Sequence, residues 1–126
     1  MTRDELLSYI DECRREKNGV IDLMGENLSG LNLRGINLSA ACLRKCNLSH
    51  SCIMYSDLSF ADLFEADLRD TIFICCGLTG VEPERTIMAR TYLRHCDVDA
   101  NLLSSNYGIK AVDCVIVDEV ETVEFK

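Results

Sequence analysis

From Leu23 onward an apolar residue recurs at every fifth position: Leu28, Leu33, Leu38, Leu43, Leu48, Ile53, Leu58, Leu63, Leu68, Phe73 and Leu78. Pro83 interrupts the series, and Met88, Leu93, Val98 and Leu103 resume it in the same phase. A helix turns by about 100° per residue, so a five-residue step carries these side chains around the cylinder instead of along one face. On a strand an odd step sends successive members to opposite faces. Neither ordinary element can gather this series on one side, and a third geometry is required.

A second, smaller series lies two residues before the centres: Ala41, Cys46, Ser51, Ser56, Ala61, Ala66, Thr71, Cys76, Val81, Thr86, Thr91 and Cys96. Between the two stands Asn or Asp in many units, as at Asn27, Asn32, Asn37, Asn47, Asp57, Asp62 and Asp67. Such side chains bond neighbouring backbone groups and so favour tight bends. Each unit then has one large inward residue, one small inward residue and three that face out or bend the chain.

Units such as "INLSA", "CNLSH", "ADLFE" and "ADLRD" resemble the pentapeptide-repeat family over about residues 21–103. The resemblance implies an all-β solenoid, a right-handed quadrilateral β-helix in which each pentapeptide forms one side and four complete a coil. Residues 20 apart should then stack. The four central columns are Leu23/Leu43/Leu63/Pro83, Leu28/Leu48/Leu68/Met88, Leu33/Ile53/Phe73/Leu93 and Leu38/Leu58/Leu78/Val98. About four coils at strand spacing, roughly 4.8 Å, stand only about 19 Å tall.

An open stack of this kind needs covers at both ends. Within residues 1–20, Thr2 and Glu5 form a capping-box signal and Leu6, Leu7, Ile10 and Cys13 an apolar stripe, which predicts an N-terminal capping α-helix from Arg3 to Lys17, stopped by Asn18-Gly19. Residues 104–126 form an acidic C-terminal cap or tail. Its Val112/Cys114/Ile116 alternation predicts β structure, and Asp118, Glu119, Glu121 and Glu124 suit either a charged strand that blunts the edge or a dimer contact. Pro83 has no N–H to donate to a rung, so a bulge or small protruding loop is expected there.

Net charge is −8, from 21 acidic and 13 basic residues, which argues against direct nucleic-acid binding or attachment to an anionic membrane. The charged N-terminus has no signal-like or membrane-spanning run, so a cytoplasmic, bacterial protein is expected, with its eight cysteines as reduced thiols. Cys76 and Cys96 stack in the small column with Ser56 and Ile36, as space-filling thiols. No nucleophile elbow, phosphate loop or dinucleotide motif is present, and a filled stack offers no pocket for acid–base work. No enzyme activity, cofactor or metal is expected: Cys42, Cys46 and His50 point to different sides, and the stacked Cys75 and His95 are only two ligands.

With the interior filled, function must lie outside. The face centred on Leu33, Ile53, Phe73 and Leu93 displays Cys52, Met54, Tyr55, Ile72, Ile74, Cys75, Tyr92 and His95, with Arg34 and Arg94 at its ends. An apolar, aromatic cluster rimmed by arginine has the composition of an interface core. A candidate acidic face carries Asp57, Asp97 and Asp99 without a base. Two functions follow. The first is a non-catalytic interaction or scaffold module, with an unknown protein partner or as a homodimer through the apolar face. The second comes from the resemblance alone: some family members imitate duplex DNA and bind or inhibit type II topoisomerases such as gyrase. A stack of about 19 Å equals only about six base pairs, and seven bases dilute the eleven acids of residues 21–100.

Overall fold

The computed structural model describes residues 1–16, 18–104 and 108–117. Its centre is a stack of coils with a 20-residue period. Asp22, Cys42, Asp62 and Glu82 form one line of parallel bridges, and Asn27, Asn47, Asp67 and Ile87 a second. The third side has true strands: β1 (Asn32–Arg34), β2 (Cys52–Met54), β3 (Ile72–Ile74) and β5 (Thr91–Arg94). The fourth carries bridges from Asn37 to Asp57 to Gly77, then β4 (Gly77–Leu78) and β6 (Asp97–Val98).

The stretch from Ser56 to Asp70 shows why five residues make one side. Asp57 Oδ1 accepts from Ser59 N–H at 2.9 Å, Asp62 Oδ1 from Phe64 at 3.1 Å and Asp67 Oδ1 from Arg69 at 3.0 Å. A second bond closes each corner, from Ala61 N–H to Leu58 O at 3.0 Å and from Ala66 to Leu63 at 2.9 Å. Phe60, Glu65 and Asp70 take the third place of their turns at φ of 62°, 58° and 57°. L-residues pay for that backbone. Here it is held in place by the next coil, since their N–H groups bond Thr79 O, Glu84 O and Ala89 O.

The fifteen apolar centres from Leu23 to Val98 are at most 4% exposed, and all twelve small companions from Ala41 to Cys96 are buried. The buried threonines among them are satisfied by the preceding coil, and Ser51 and Ser56 by Leu48 O and Met54 O of their own coil. Thr71 Oγ1 donates to Leu48 O at 2.7 Å, Thr86 to Leu63 O at 2.6 Å and Thr91 to Leu68 O at 2.7 Å. A Ser or Thr in this column therefore costs nothing in unpaired polar atoms.

Helix α1 (Arg3–Glu16) covers the first coil with Leu6, Ile10 and Cys13 buried and Leu7 packed at their margin. Thr2 and Glu5 exchange both bonds of the capping box, at 2.9 and 3.2 Å. Asn18 and Gly19 follow at positive φ, and Gly19 N–H returns to Cys13 O. The helix also completes the edge hydrogen bonds. In later coils the residue before each centre bonds the coil behind it, but Asp22 has none behind. The Tyr9 hydroxyl donates to Asp22 O at 2.7 Å and accepts from Asp22 N–H at 3.3 Å. Arg14 Nη2 donates to Asn37 O at 3.0 Å, three sides further round.

At the other end the period changes. Phe73 pairs with Leu93 20 residues on, but Leu93 pairs with Ala111 and Val98 with Ile116, each 18 residues on. Strands β7 (Ile109–Val112) and β8 (Val115–Ile116) thus add a fifth rung to two sides only. Helix α2 (Ala100–Ser104) stands where the first side of that coil would be. Leu102, at 5% exposure, enters the core, whereas Leu103, expected as the next centre, is half-buried on α2.

Pro83 corrects the sequence reading, for there is neither bulge nor loop. Asp62 pairs with Glu82 and Asp67 with Ile87 in unbroken register, Glu82 N–H reaches Ala61 O at 3.1 Å, and Thr86 N–H closes the corner on Pro83 O at 3.1 Å. Central N–H groups point forward: Leu43 N–H reaches Asp62 O and Leu63 N–H reaches Glu82 O. At Pro83 the forward neighbour is α2 rather than a strand, so the missing donor has no rung to break.

Two outcomes in urea unfolding follow. Leu63→Pro removes a forward donor inside the stack and should cost about 3 kcal/mol or more, while Pro83→Leu should change stability by less than about 1 kcal/mol. Tyr9→Phe removes the hydroxyl from both exposed Asp22 backbone groups and should cost about 0.5–1.5 kcal/mol with the helix content unchanged by circular dichroism.

Candidate interaction surface

On the other three sides Asn or Asp stands before most centres, with Cys42, Gly77, Glu82 and Ile87 as the exceptions. On the third side those positions are Asn32, Cys52, Ile72, Tyr92 and Lys110, and the paired strands are three or four residues long. As on the other sides, the residue two after the centre bonds the next coil: Tyr55 N–H bonds Ile74 O at 2.9 Å, Cys75 N–H bonds Arg94 O at 2.9 Å and His95 N–H bonds Val112 O at 3.1 Å. The buried Ser56 hydroxyl accepts from Ile36 N–H at 3.1 Å and donates to Met54 O at 3.0 Å, completing that corner.

The result is a five-stranded parallel sheet, β1-β2-β3-β5-β7, with its outward residues in register. One ladder reads Asn32, Cys52, Ile72, Tyr92, Lys110, and the other Arg34, Met54, Ile74, Arg94, Val112. Every residue of the expected apolar face lies here. Cys52, Ile72 and Tyr92 share the first ladder, Met54, Ile74 and Arg94 the second, and Tyr55, Cys75 and His95 stand at the corner beside it. Ile72 is 38% exposed and Tyr55 55%, and the other apolar members are half-buried by their neighbours in the stack. The Arg34 guanidinium lies 4.7 Å over the Tyr55 ring. Strand propensity accounts for isoleucine and tyrosine on such a sheet. It does not account for Cys52 and Met54, nor for the absence of threonine from both ladders.

The acidic residues are not gathered into a stripe. Asp57 and Asp97 belong to one ladder of the fourth side, separated by Gly77, where a Cβ would stand 3.1 Å from both Asp57 Oδ1 and Ser59 Oγ. Asp57 holds Ser59 N–H, and Asp99 accepts from Gly80 N–H at 2.8 Å. Two of the three carboxylates thus serve the backbone.

The sequence reading missed two features. A charged column runs down the corner between the second and third sides, with Arg90 bonding both Asp70 oxygens at 2.6 and 2.9 Å and His50 Nε2 3.8 Å from Asp70. Its signal was the 20-residue spacing of positions 50, 70 and 90. Lys110 and Val112 extend the apolar sheet, and the signal was the unit Cys114-Val115-Ile116, a small and a large inward residue five after Ala111.

The eight cysteines are free thiols. Burial pushes Cys46 up to about 11, and a hydrogen bond to Cys76 together with burial holds Cys96 above the ordinary thiol range. These are neutral core groups rather than nucleophiles. Among the described residues no three His, Cys, Asp or Glu converge as metal ligands, and no helix is long and apolar enough to cross a membrane.

A family model described as pentapeptide repeats matches residues 22–59 and 32–70 in eight copies, and the bridges and strands continue the same register to Val98. Over residues 22–70 the chain carries pentapeptide repeats. No curated protein matches its sequence at a significant level. Among solved structures, this chain is similar in fold to HetL, a pentapeptide repeat protein involved in heterocyst differentiation regulation from the cyanobacterium Nostoc. The TM-score is 0.62 at 22% identity over 77% of this chain and 43% of HetL. It is similar to a pentapeptide repeat protein from the Arabidopsis thaliana thylakoid lumen, with TM-score 0.62 and 19% identity over 82% of this chain and 73% of that one. It also resembles trypsin-treated QnrB1, a plasmid-mediated fluoroquinolone resistance protein, with TM-score 0.58 and 16% identity over 75% and 53%. The chain thus spans less than half of HetL and about half of QnrB1.

The charged columns make stability depend on acid. Hydrogen bonds from Arg90 hold the Asp70 carboxyl below its ordinary value, and those from Arg69 do the same for Asp67. A carboxyl depressed in the folded state stabilises it above the unfolded pKa of about 3.9, and that contribution is lost as pH falls through the folded value. The melting temperature should therefore fall below about pH 4, and Asp70→Asn should flatten part of that fall in thermal scans between about pH 2 and 7.

Proposed function

We propose that this chain is a non-catalytic cytoplasmic interaction module that docks a protein partner on its third side. The observation that carries the reading is the pair of outward ladders, Cys52/Ile72/Tyr92 and Met54/Ile74, at least partly exposed on a sheet whose charged residues lie on its first rung and its last two. The interior supports it too: the void lined by Leu63, Phe73, Val81, Met88 and Leu102 measures about 10 Å³, room for one water at most. Binding therefore falls to the outside of the stack.

The test is capture from the native host with wild-type protein and with Ile74→Asp/Tyr92→Glu, two changes at outward positions that leave the core ladders intact. Loss of one captured protein from the double variant is expected, and identical capture profiles would sink the reading. Mass in solution separates self-association: a dimer that Ile74→Asp converts to monomer makes the partner a second copy.

A second reading, binding or inhibition of a type II topoisomerase through DNA-like charge, draws on the fourth side, whose Asp57, Asp97 and Asp99 have no base beside them, and on the fold shared with QnrB1. Against it stand the two carboxylates spent on the backbone and the short stack. Gyrase supercoiling of relaxed plasmid should stay unaffected at about 10 µM protein, and inhibition there would favour this second reading over the first.

A further inference from the structure

Net charge divides unevenly among the four sides. Among the described residues, the first side sets Asp22, Asp62, Glu65, Glu82 and Glu84 against Arg44, Lys45 and Arg85, the second balances Asp67 and Asp70 with Arg69 and Arg90, and the fourth carries Asp57, Asp97 and Asp99 without a base. The third side reverses the sign. It carries Arg34, Arg94 and Lys110 against Asp113 alone, on a chain whose net charge is −8. The one cationic side is thus also the apolar one, and its cations stand at the two ends of the sheet with the apolar ladders between them.

The shape is as specific as the charge. The two ladders are two residues apart along each strand, about 6.6 Å, and the centres between them point inward. A shallow trough therefore runs along the coil axis, floored by the backbone of Ile53, Phe73 and Leu93 and walled by Cys52, Ile72 and Tyr92 on one side and Met54 and Ile74 on the other. Its rungs repeat at about 4.8 Å, close to the 5.4 Å pitch of an α-helix. From β1 to β7 it is about 19 Å long, the length of about 13 helical residues. A strip about 19 Å long with ladders about 6.6 Å apart is much smaller than the roughly 800 Å² per partner of a standard interface between folded proteins. It fits one element rather than a second globular surface.

We propose that the partner's docking element is an amphipathic α-helix of three to four turns, apolar along the stripe that enters the trough and acidic at both ends. This rests on the reading that the third side is a docking surface, and it names what docks there. The partner's terminal carboxylates meet Arg34 at one end and Arg94 and Lys110 at the other, while leucine-sized side chains spaced i, i+3, i+4 and i+7 settle between the ladders.

The probe is an acetylated, fluorescein-labelled peptide of about 14 residues with leucines at that spacing and glutamates at both ends, compared with a lysine-ended version and a scrambled one. Fluorescence anisotropy should give a dissociation constant of about 10–100 µM for the acidic helix and at least tenfold weaker binding for the other two. Bound acidic peptide should also slow alkylation of Cys52. Arg34→Glu/Arg94→Glu/Lys110→Glu should reverse the preference toward the lysine peptide, and Ile74→Asp should abolish binding of both, with circular dichroism of each variant unchanged.

Equal binding of acidic, basic and scrambled peptides would overturn the inference, as would a preference that survives charge reversal or flotation of the wild-type protein with phosphatidylserine vesicles. If no peptide binds while Ile74→Asp/Tyr92→Glu still loses its captured host protein, the acidic helix is refuted and the docking surface stands. If capture is also unchanged, both fall.

Discussion

Everything in this fold depends on one bond, from a central N–H to the carbonyl 19 residues ahead: Leu23 to Cys42, Leu28 to Asn47, Leu38 to Asp57 and Leu43 to Asp62. That spacing holds only if every coil has the same number of residues. It places leucine on leucine, puts each small residue beneath its equivalent, and fixes which residues meet on the outside. The corner backbone is a consequence too. Among the described residues thirteen non-glycine residues have positive φ, and eleven of them are turn residues of the coil stack. An isolated chain would abandon such conformations at a gain of about 1 kcal/mol each, but here each relaxed corner would take its rung out of register.

Most of this was legible because the period is long, uninterrupted and alien to helix and strand. The identities needed were few: a large apolar residue, a small one two before it, and an Asn or Asp between them. The N-terminal cap was legible for local reasons, since Thr2 and Glu5 carry their own geometry. What escaped depended on context. Pro83 reads as a fault until its forward neighbour is known to be a helix, because the same residue that would break a central rung is harmless at the last one. The tail lost phase by only two residues, enough to hide Ala111 and Ile116 from a count by five. The bonds of Tyr9 and Arg14 to Asp22 and Asn37 join segments with no common pattern, and no spacing announces them. The reading of residues 118–126 as acidic edge or dimer contact lies outside the described residues.

The candidate surface was legible for the same reason as the core. Sorting outward residues by columns of 20 placed Cys52, Met54, Ile72, Ile74 and Tyr92 on one sheet before any coordinate was known. The acidic residues fared differently, because sorting reports position and not occupation. Asp57 and Asp99 look like free charge in a column and are hydrogen-bonded to backbone in the molecule.

The square cross-section also sets how such a protein can change. Inserting one five-residue unit adds a quarter turn, which would rotate everything after it onto the next side and split Ile72 and Tyr92 from Cys52. Inserting four units adds a storey and moves nothing sideways. Point substitutions can alter the outward letters one at a time, but length is quantised in whole coils for any lineage that keeps an extended patch on one wall. A surface several rungs tall therefore tolerates a change of length only where, as between Leu93 and Ala111, the chain still returns to the same side.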